Sequence, residues 1–454
     1  MIQSIDKPKF GRLWENNNNM DIFLRNGTIV TQNANHDIFQ GHILIQGDTI
    51  TAIGPDIQNP GVPEENIENL VVIPGLIQTH IHMCQTLFRN LADDVELLDW
   101  LANHIWPMEA AHTPESLRAS VQLSLTELFK NGTTTVLDMG ALHHTHIIFE
   151  ELVASGMRGF SGKVLMDTEP PYYRQDTERN LWESEQLIAH WHGASKGRVQ
   201  YALAPRFVLS CSTDLWHGVR HLAGKYHLLV HTHAAENRKE TDIVRAKTGW
   251  GNIEFFDHMG LANERLLLAH CIWVSKKEID ILAQRHINVL HCPSANLKLG
   301  SGFAPIPEYR QRGINVSLGS DGAPCNNNLS ILQDMRLAAL IHKPRFGVNT
   351  ITAQDVLDMA TIQGARALGL ADQIGSLEAG KKADLVILNL NKVNTIPADN
   401  VYSQIVYSAQ TENVLHVMIN GQWVMYQQHI IPYNEQQVIE NAWHELAKLL
   451  RRLN

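Results

Sequence analysis

The stretch that decides the fold is Val71-Val-Ile-Pro-Gly-Leu-Ile-Gln-Thr-His80-Ile-His82. Its short apolar run predicts a buried strand, which Pro74-Gly75 interrupts. His80 and His82 follow with one residue between them. In extended chain such residues share a face, so both imidazoles can address one ion. Imidazole is the commonest metal-ligand side chain and suits zinc and iron alike. Taken alone, the pair is equally a hydrogen-bonded core feature. The chain repeats the pattern at His144/His146, His190/His192 and His231/His233, so the surrounding sequence must say which pair matters.

Outward from this stretch, the region of about 71–371 alternates. Apolar, β-rich runs fall at 71–77, 133–139, 159–166, 199–204, 227–232, 266–270, 287–291 and 314–318, with helical stretches such as 114–130, 275–285 and 329–342 between them. Repeated strand–helix alternation predicts an α/β fold, a (β/α)8 barrel of TIM type, in which chemistry sits where strands end. The run ends carry suitable groups. They are His80 and His82, then Asp138, then Pro205-Arg206-Phe207, then His231-Thr-His233-Ala-Ala-Glu236. Ala269-His270-Cys271, His291-Cys-Pro-Ser-Ala-Asn296 and Gly319-Ser-Asp321-Gly complete the set. Each residue alone has an ordinary reading: Asp321 as a turn residue, Glu236 in the first turn of a helix. Metal ligands and proton carriers at several strand ends together point to a site. His143, His144 and His146 read as loop residues entering a helix, and His190/His192 as part of a polar helix.

The flanks have a different texture. Short strands and tight turns mark 21–70, punctuated by Gly27, Gly41 and Gly47, and return in 372–433 with Asn420-Gly421 as a hairpin turn. These segments predict one small β-sandwich domain built from both chain ends, around a catalytic barrel at 71–371. Residues 1–20 read as a poorly ordered lead-in, and 434–454 as a closing helix with Arg451-Arg452 at its end, where cations favour the helix dipole.

Composition bounds the partners. An apolar content of 44% and a charged content of 19% describe a globular chain with a large core. The net charge of −10 argues against nucleic acid or a membrane surface as partner. No apolar run reaches spanning length, and the start lacks the apolar core of a signal peptide. The five cysteines form no Cys-x-x-Cys, so neither a zinc ribbon nor a disulfide framework is indicated and the cytoplasm is the expected compartment. His444-Glu445 lacks a second histidine, and Pro324-Cys325 lacks the second cysteine of a nucleobase-deaminase zinc signature. The fourth run ends without a lysine to bridge two metals, so a single ion is the simpler reading.

Together, Pro74-Gly-Leu-Ile-Gln-Thr-His80-Ile-His82, His233-Ala-Ala-Glu236, Ala269-His270-Cys271, His291-Cys-Pro-Ser-Ala-Asn296 and Gly319-Ser-Asp321-Gly-Ala resemble the amidohydrolase superfamily. More narrowly, they are similar to its mononuclear branch of heterocycle deaminases and triazine hydrolases. The resemblance covers nearly the whole chain. It implies one divalent ion per chain, zinc with iron(II) as the alternative, held by His80, His82, His233 and Asp321. It also implies that Glu236 shuttles protons and that His270, with Asp321, holds the attacking water. Trp100 and Glu109 look like the methylthioadenosine/S-adenosylhomocysteine deaminases, in which the matching Glu holds ribose hydroxyls. Arg206 departs from that group, which carries histidine there, and Pro205-Arg206-Phe207 is similar to guanine deaminase. Arginine offers only donors, so a ring carbonyl or carboxylate beside Arg206 is expected.

The expected activity is hydrolytic deamination of a small heterocycle, a purine or 5′-substituted adenosine, with release of ammonia. A guanine- or pterin-type deaminase, a triazine hydrolase expelling chloride or an amine, and a non-catalytic scaffold are the alternatives. Family habit implies a homo-oligomer, a dimer or larger.

Overall fold

The computed structural model of the protein describes residues 21–168 and 175–453. The lead-in expected at 1–20 lies outside the described residues. The quoted stretch turns out to serve two sheets. Val71–Pro74 and Leu76–His82 are separate strands, and Gly75 joins them. A Cβ on Gly75 would lie 2.1 Å from Thr134 Oγ1. Only glycine permits the crossing, and the expected single strand at 71–77 is divided there.

Val71–Pro74 belongs to a nine-stranded sheet drawn from both chain ends. It pairs parallel with Ile22–Val30 and antiparallel with Leu385–Leu388, setting Val72 opposite Ile387. Outward from Leu385–Leu388 lie Val414–Ile419, Gln422–Tyr426 and His429–Ile430. On the other side Ile22–Val30 is followed by Ile38–Gln46 and Thr49–Gly54. Asn420 and Gly421 turn the expected hairpin with positive φ of 50° and 71°, as a type I′ turn requires. Ile29, Ile43, Ile45, Leu385 and Ile387 fill this sheet's core.

Leu76–His82 opens the second system, in which every strand pairing is parallel. It lies between Thr133–Asp138 and Asp321–Gly322, and beyond Thr133–Asp138 come Arg158–Ser161 and Val199–Tyr201. A further ladder runs Val230–Ala234, Leu266–His270, Asn288–His291, Val316–Leu318. A parallel bridge from Leu203 to Val230 links the two ladders at one side. At the other, Gly319-Ser320 alone separates Val316–Leu318 from Asp321–Gly322. Leu76–His82 and Leu266–His270 are buried at every position, as expected of strands covered on both faces. The runs at 159–166 and 199–204 each break into two short pieces, the second pieces Val164–Leu165 and Ala204–Pro205 pairing with each other.

The helices between strands start where capping chemistry places them. Lys276–Gln284 begins after Ser275, whose hydroxyl accepts from the Glu278 N–H while Glu278 accepts from the Ser275 N–H at 2.8 Å. Glu435–Leu453 closes the chain. It buries Val438, Ala442 and Leu449, and Arg452 Nε donates to the Ala111 carbonyl at 2.9 Å. No helix among the described residues is long and apolar enough to cross a membrane.

Candidate active site

The parallel strands deliver their polar residues to one place. His80 and His82 end Leu76–His82, His233 stands in Val230–Ala234, and Asp321 begins Asp321–Gly322 beside Ile81. Each offers one donor atom, and these atoms all lie within 4.8 Å of one another. Asp321 Oδ1 is 3.3 Å from His80 Nε2 and 3.3 Å from His82 Nε2. His82 Nε2 and His233 Nε2 are 3.2 Å apart. Gly319 allows the approach, since a Cβ there would fall 2.5 Å from the His80 carbonyl oxygen.

The donor set fits a divalent cation. Donors held about 2.0–2.2 Å from a tetrahedral zinc lie about 3.3–3.6 Å from one another, close to the spacing found here. His82 Nε2 and His233 Nε2, 3.2 Å apart, either share one proton or both turn their lone pairs to a cation. His80 Nε2 and His270 Nε2 are buried and without a hydrogen-bond partner among the described residues, which is costly unless something accepts their lone pairs. Burial, reinforced by neighbouring histidine charges, holds His233 well below the usual imidazole range. Burial likewise pushes His82 down to about 3. Burial opposes ionisation of Asp321, but the charges of His80, His82 and His270 hold its carboxyl well below the usual range. Neutral imidazoles around one carboxylate are the form in which these side chains bind metal.

Proton-handling groups stand next to the cluster. His270 Nε2 is 3.6 Å from Glu236 Oε2 and 3.8 Å from Asp321 Oδ2. Its other nitrogen, Nδ1, faces Asn296 Oδ1 at 2.8 Å. Burial, and then the Asp321 charge, push the Glu236 carboxyl well above its ordinary value. Glu236 precedes the helix Arg238–Thr248, whose N-cap is Asn237. Asp321 and His270 have φ of 65° and 73°. Left-handed backbone at non-glycine residues costs on the order of 1–3 kcal/mol and concentrates at functional sites.

Trp100, Glu109 and Arg206 are all brought to this cavity or its wall. Trp100 lines it with Leu97, Leu98, Leu101, Phe207 and Leu299. Arg206 also lines it and donates to Glu109 at 2.6 and 3.4 Å. Gln85 Nε2 donates to the same carboxylate at 2.7 Å. Arg206 and Glu109 are 3% and 4% exposed, so this is a buried, charge-balanced pair. Asp138, also at a strand end, is turned to the backbone: it accepts from Met83 N–H at 2.8 Å and Ser161 Oγ at 2.7 Å.

Sequence reasoning missed Gln85 and Glu240, and it named His231 at a strand end without giving it a role. Glu240 lines the cavity, and burial, then the Glu236 charge, raise its carboxyl to about 8. His231 donates to or accepts from His80 Nδ1 at 2.7 Å. Its period-two spacing from His233 was the available signal. For Gln85 and Glu240 the sequence offers none.

Known proteins match this chain in sequence and in fold. The Amidohydrolase family matches residues 71–424. A 5′-deoxyadenosine deaminase of Methanosarcina mazei is 34% identical over 440 residues, 96% of this chain and 99% of that protein. A 5-methylthioadenosine/S-adenosylhomocysteine deaminase of Syntrophomonas wolfei is 35% identical over 444 residues, 95% of this chain and 100% of that protein. Among solved structures, a zinc-bound adenosine deaminase from Xanthomonas campestris superposes with a TM-score of 0.90 at 29% identity, covering 95% of this chain and 99% of that one. Guanine deaminase from C. acetobutylicum, with guanine bound, superposes with a TM-score of 0.81 at 27% identity, covering 89% and 99%. Fold and sequence thus agree over nearly the full length, and the chain belongs to the Amidohydrolase family.

Proposed function

We propose that this protein is a metal-dependent hydrolytic deaminase of 5′-substituted adenosines such as methylthioadenosine, S-adenosylhomocysteine or 5′-deoxyadenosine. One observation carries the reading: the His80–His82–His233–Asp321 cluster lies beside Glu236 and His270, at a cavity that His82, His233, Glu236 and Asp321 line. The names of relatives that match nearly full length supply the substrate class.

The frame is read as a (β/α)8 barrel at 71–371, with 21–70 and 372–433 as a small β-sandwich domain and 434–454 as a closing helix. The two parallel ladders, linked by the Leu203–Val230 bridge and by Gly319-Ser320, support closure of the barrel. The sandwich is supported by an edge that folds back. Ile50 N–H donates to Lys381 O at 2.8 Å and the Ala383 N–H to Asp48 O at 2.9 Å, which brings Thr49–Gly54 to the approach of Leu385–Leu388.

His80, His82, His233 and Asp321 would hold the ion, zinc by analogy with the bound structure or iron(II). Such an ion supplies Lewis acidity and lowers the pKa of a coordinated water from about 15.7 toward about 7. The chain's own residues do the rest. Asp321 and His270 orient the water, and Glu236 takes a proton from it. Glu236 gives a proton to a ring nitrogen, which makes the amino-bearing carbon electrophilic. Water oxygen bonds to that carbon; the hydroxyl proton of the adduct then passes through Glu236 to the amine as the carbon–nitrogen bond breaks, leaving ammonia and a ring carbonyl. A carboxyl pushed upward by burial holds a proton more readily than an exposed one, which suits it to pass that proton on.

A second reading has a specific observation behind it. Glu109, expected to meet ribose hydroxyls, is already engaged by Arg206 and Gln85. That favours a free heterocycle with a carbonyl beside Arg206, of guanine or pterin type. Ammonia release from methylthioadenosine, S-adenosylhomocysteine, 5′-deoxyadenosine, guanine and a pterin separates the two readings, and halide release from a chlorotriazine tests the hydrolase alternative. The scaffold alternative expects no turnover on any of them. Glu236→Gln should keep zinc and lower turnover by roughly 10²–10⁴-fold. Parent-like turnover in that variant removes Glu236 from the proposed role.

A further inference from the structure

The three histidines of the cluster are backed by different groups. His233 Nδ1 faces the Arg206 carbonyl oxygen at 2.7 Å, and the Gln85 amide nitrogen lies 3.4 Å from His82 Nδ1. His80 Nδ1 instead meets another imidazole, His231 Nε2, at 2.7 Å. A carbonyl oxygen can only accept, so it dictates the state of its histidine. An imidazole nitrogen can accept or donate, so here the state must be deduced.

Two ring nitrogens at this distance share one proton: with none their lone pairs repel, and with two their hydrogens collide. For His80 Nε2 to offer a lone pair to a cation, the His80 ring proton must sit on Nδ1. His231 Nε2 is then the acceptor, and the His231 proton is forced onto Nδ1. That atom is buried and has no hydrogen-bond partner among the described residues. An unpaired buried donor costs about 1–3 kcal/mol, so His231 is poorly explained as packing alone.

We propose that His231 is a positioning residue: as a neutral acceptor it fixes His80 in the Nδ1–H tautomer, with Nε2 turned to His82, His233 and Asp321. The proposal rests on the metal reading above. His231 sits in the strand Val230–Ala234, which also carries His233. The bond therefore ties the strand bearing two of the proposed ligands to the strand bearing the third, 151 residues away. Because the acceptor is uncharged, it orients the ligand without adding negative charge behind the cation.

The test is zinc affinity, measured by competition with a chromophoric chelator, in the full-length wild type, His231→Phe and His231→Gln. Loss of a group that orients a metal ligand weakens binding by about 10–100-fold, and that loss is expected for phenylalanine. Glutamine can accept through its amide oxygen and should stay nearer wild type. Phenylalanine binding zinc as tightly as wild type, or glutamine binding as weakly as phenylalanine, overturns the proposal. Circular dichroism in chelator shows whether each variant folds. Should both fail to fold, nitrogen-15 NMR of histidine-labelled, zinc-loaded wild type decides: His231 protonated on Nδ1 supports the proposal, and protonation on Nε2 overturns it. Wild type that takes up no zinc at all sinks the metal reading and this inference together, whereas equal binding by wild type and His231→Phe sinks only this one.

Discussion

Two buried polar clusters share one cavity and are built on opposite terms. Around Asp321 three imidazoles converge, and His80 Nε2 and His270 Nε2 lack hydrogen-bond partners among the described residues. Around Glu109 the acceptors are occupied: Arg206 donates at 2.6 Å and Gln85 at 2.7 Å. The first cluster is incomplete in protein atoms and suited to receive a cation. In the second, Arg206 and Gln85 already engage the Glu109 carboxylate and the charges balance, while Gln85 Oε1 has no hydrogen-bond partner among the described residues. Burial and polarity are alike in the two, and the difference lies in whether the central carboxylate meets hydrogen-bond donors or imidazole nitrogens.

The contrast can be broken most directly at Asp321. Asp321→Ala should abolish zinc uptake and lower turnover by more than the roughly 10²–10⁴-fold expected for loss of acid–base help alone. In chelator the variant should lose only what Asp321 contributes within the protein, including its bond from the Gly322 N–H at 2.8 Å, a loss of about 1–3 kcal/mol. Metal analysis and thermal unfolding with and without chelator check both halves.

At the other cluster the pattern should reverse. Glu109→Gln leaves the Arg206 guanidinium buried beside a neutral amide, and breaking such a pair costs about 3–5 kcal/mol. Urea unfolding should show that loss while zinc stoichiometry stays at the wild-type value. A variant that keeps its stability but loses zinc would erase the distinction between the clusters.

A smaller effect sharpens the boundary between them. Asp334 accepts from Ser294 Oγ at 2.6 Å and Asn326 Nδ2 at 3.1 Å, and burial raises its carboxyl to about 7. The folded state then holds a proton that the unfolded chain has released above pH ~4, so this group's stabilisation is present below pH ~4 and lost as pH rises toward ~7. Asp334→Asn should remove a slope of up to about 1.4 kcal/mol per pH unit over that window. Denaturant midpoints at several pH values for both proteins measure it. Parallel profiles would show that Asp334 does not carry this proton.

Much of the site was legible in the sequence because metal and proton chemistry uses few residue types. Those residues cluster where strand-like runs give way to loops. His80, His82, His233, Glu236, His270 and Asp321 each stood at such a boundary, and the structure brings all six together. Helix starts were legible for a related reason: Ser275 and Thr113 cap by local hydrogen bonds that depend only on neighbours a turn away.

Partnerships across the chain were not legible. Arg206 and Glu109 are 97 residues apart, and His80 and His231 are 151 apart. Nothing local in either segment marks the other as its partner. Sequence thus determined which side chains have the chemistry and on which strand ends they stand, since strand periodicity and residue type are local properties. Only the tertiary structure decided which buried donors meet an acceptor and which remain open to an ion. That outcome depends on distances of 2.6–3.3 Å set by the packing of every strand at once.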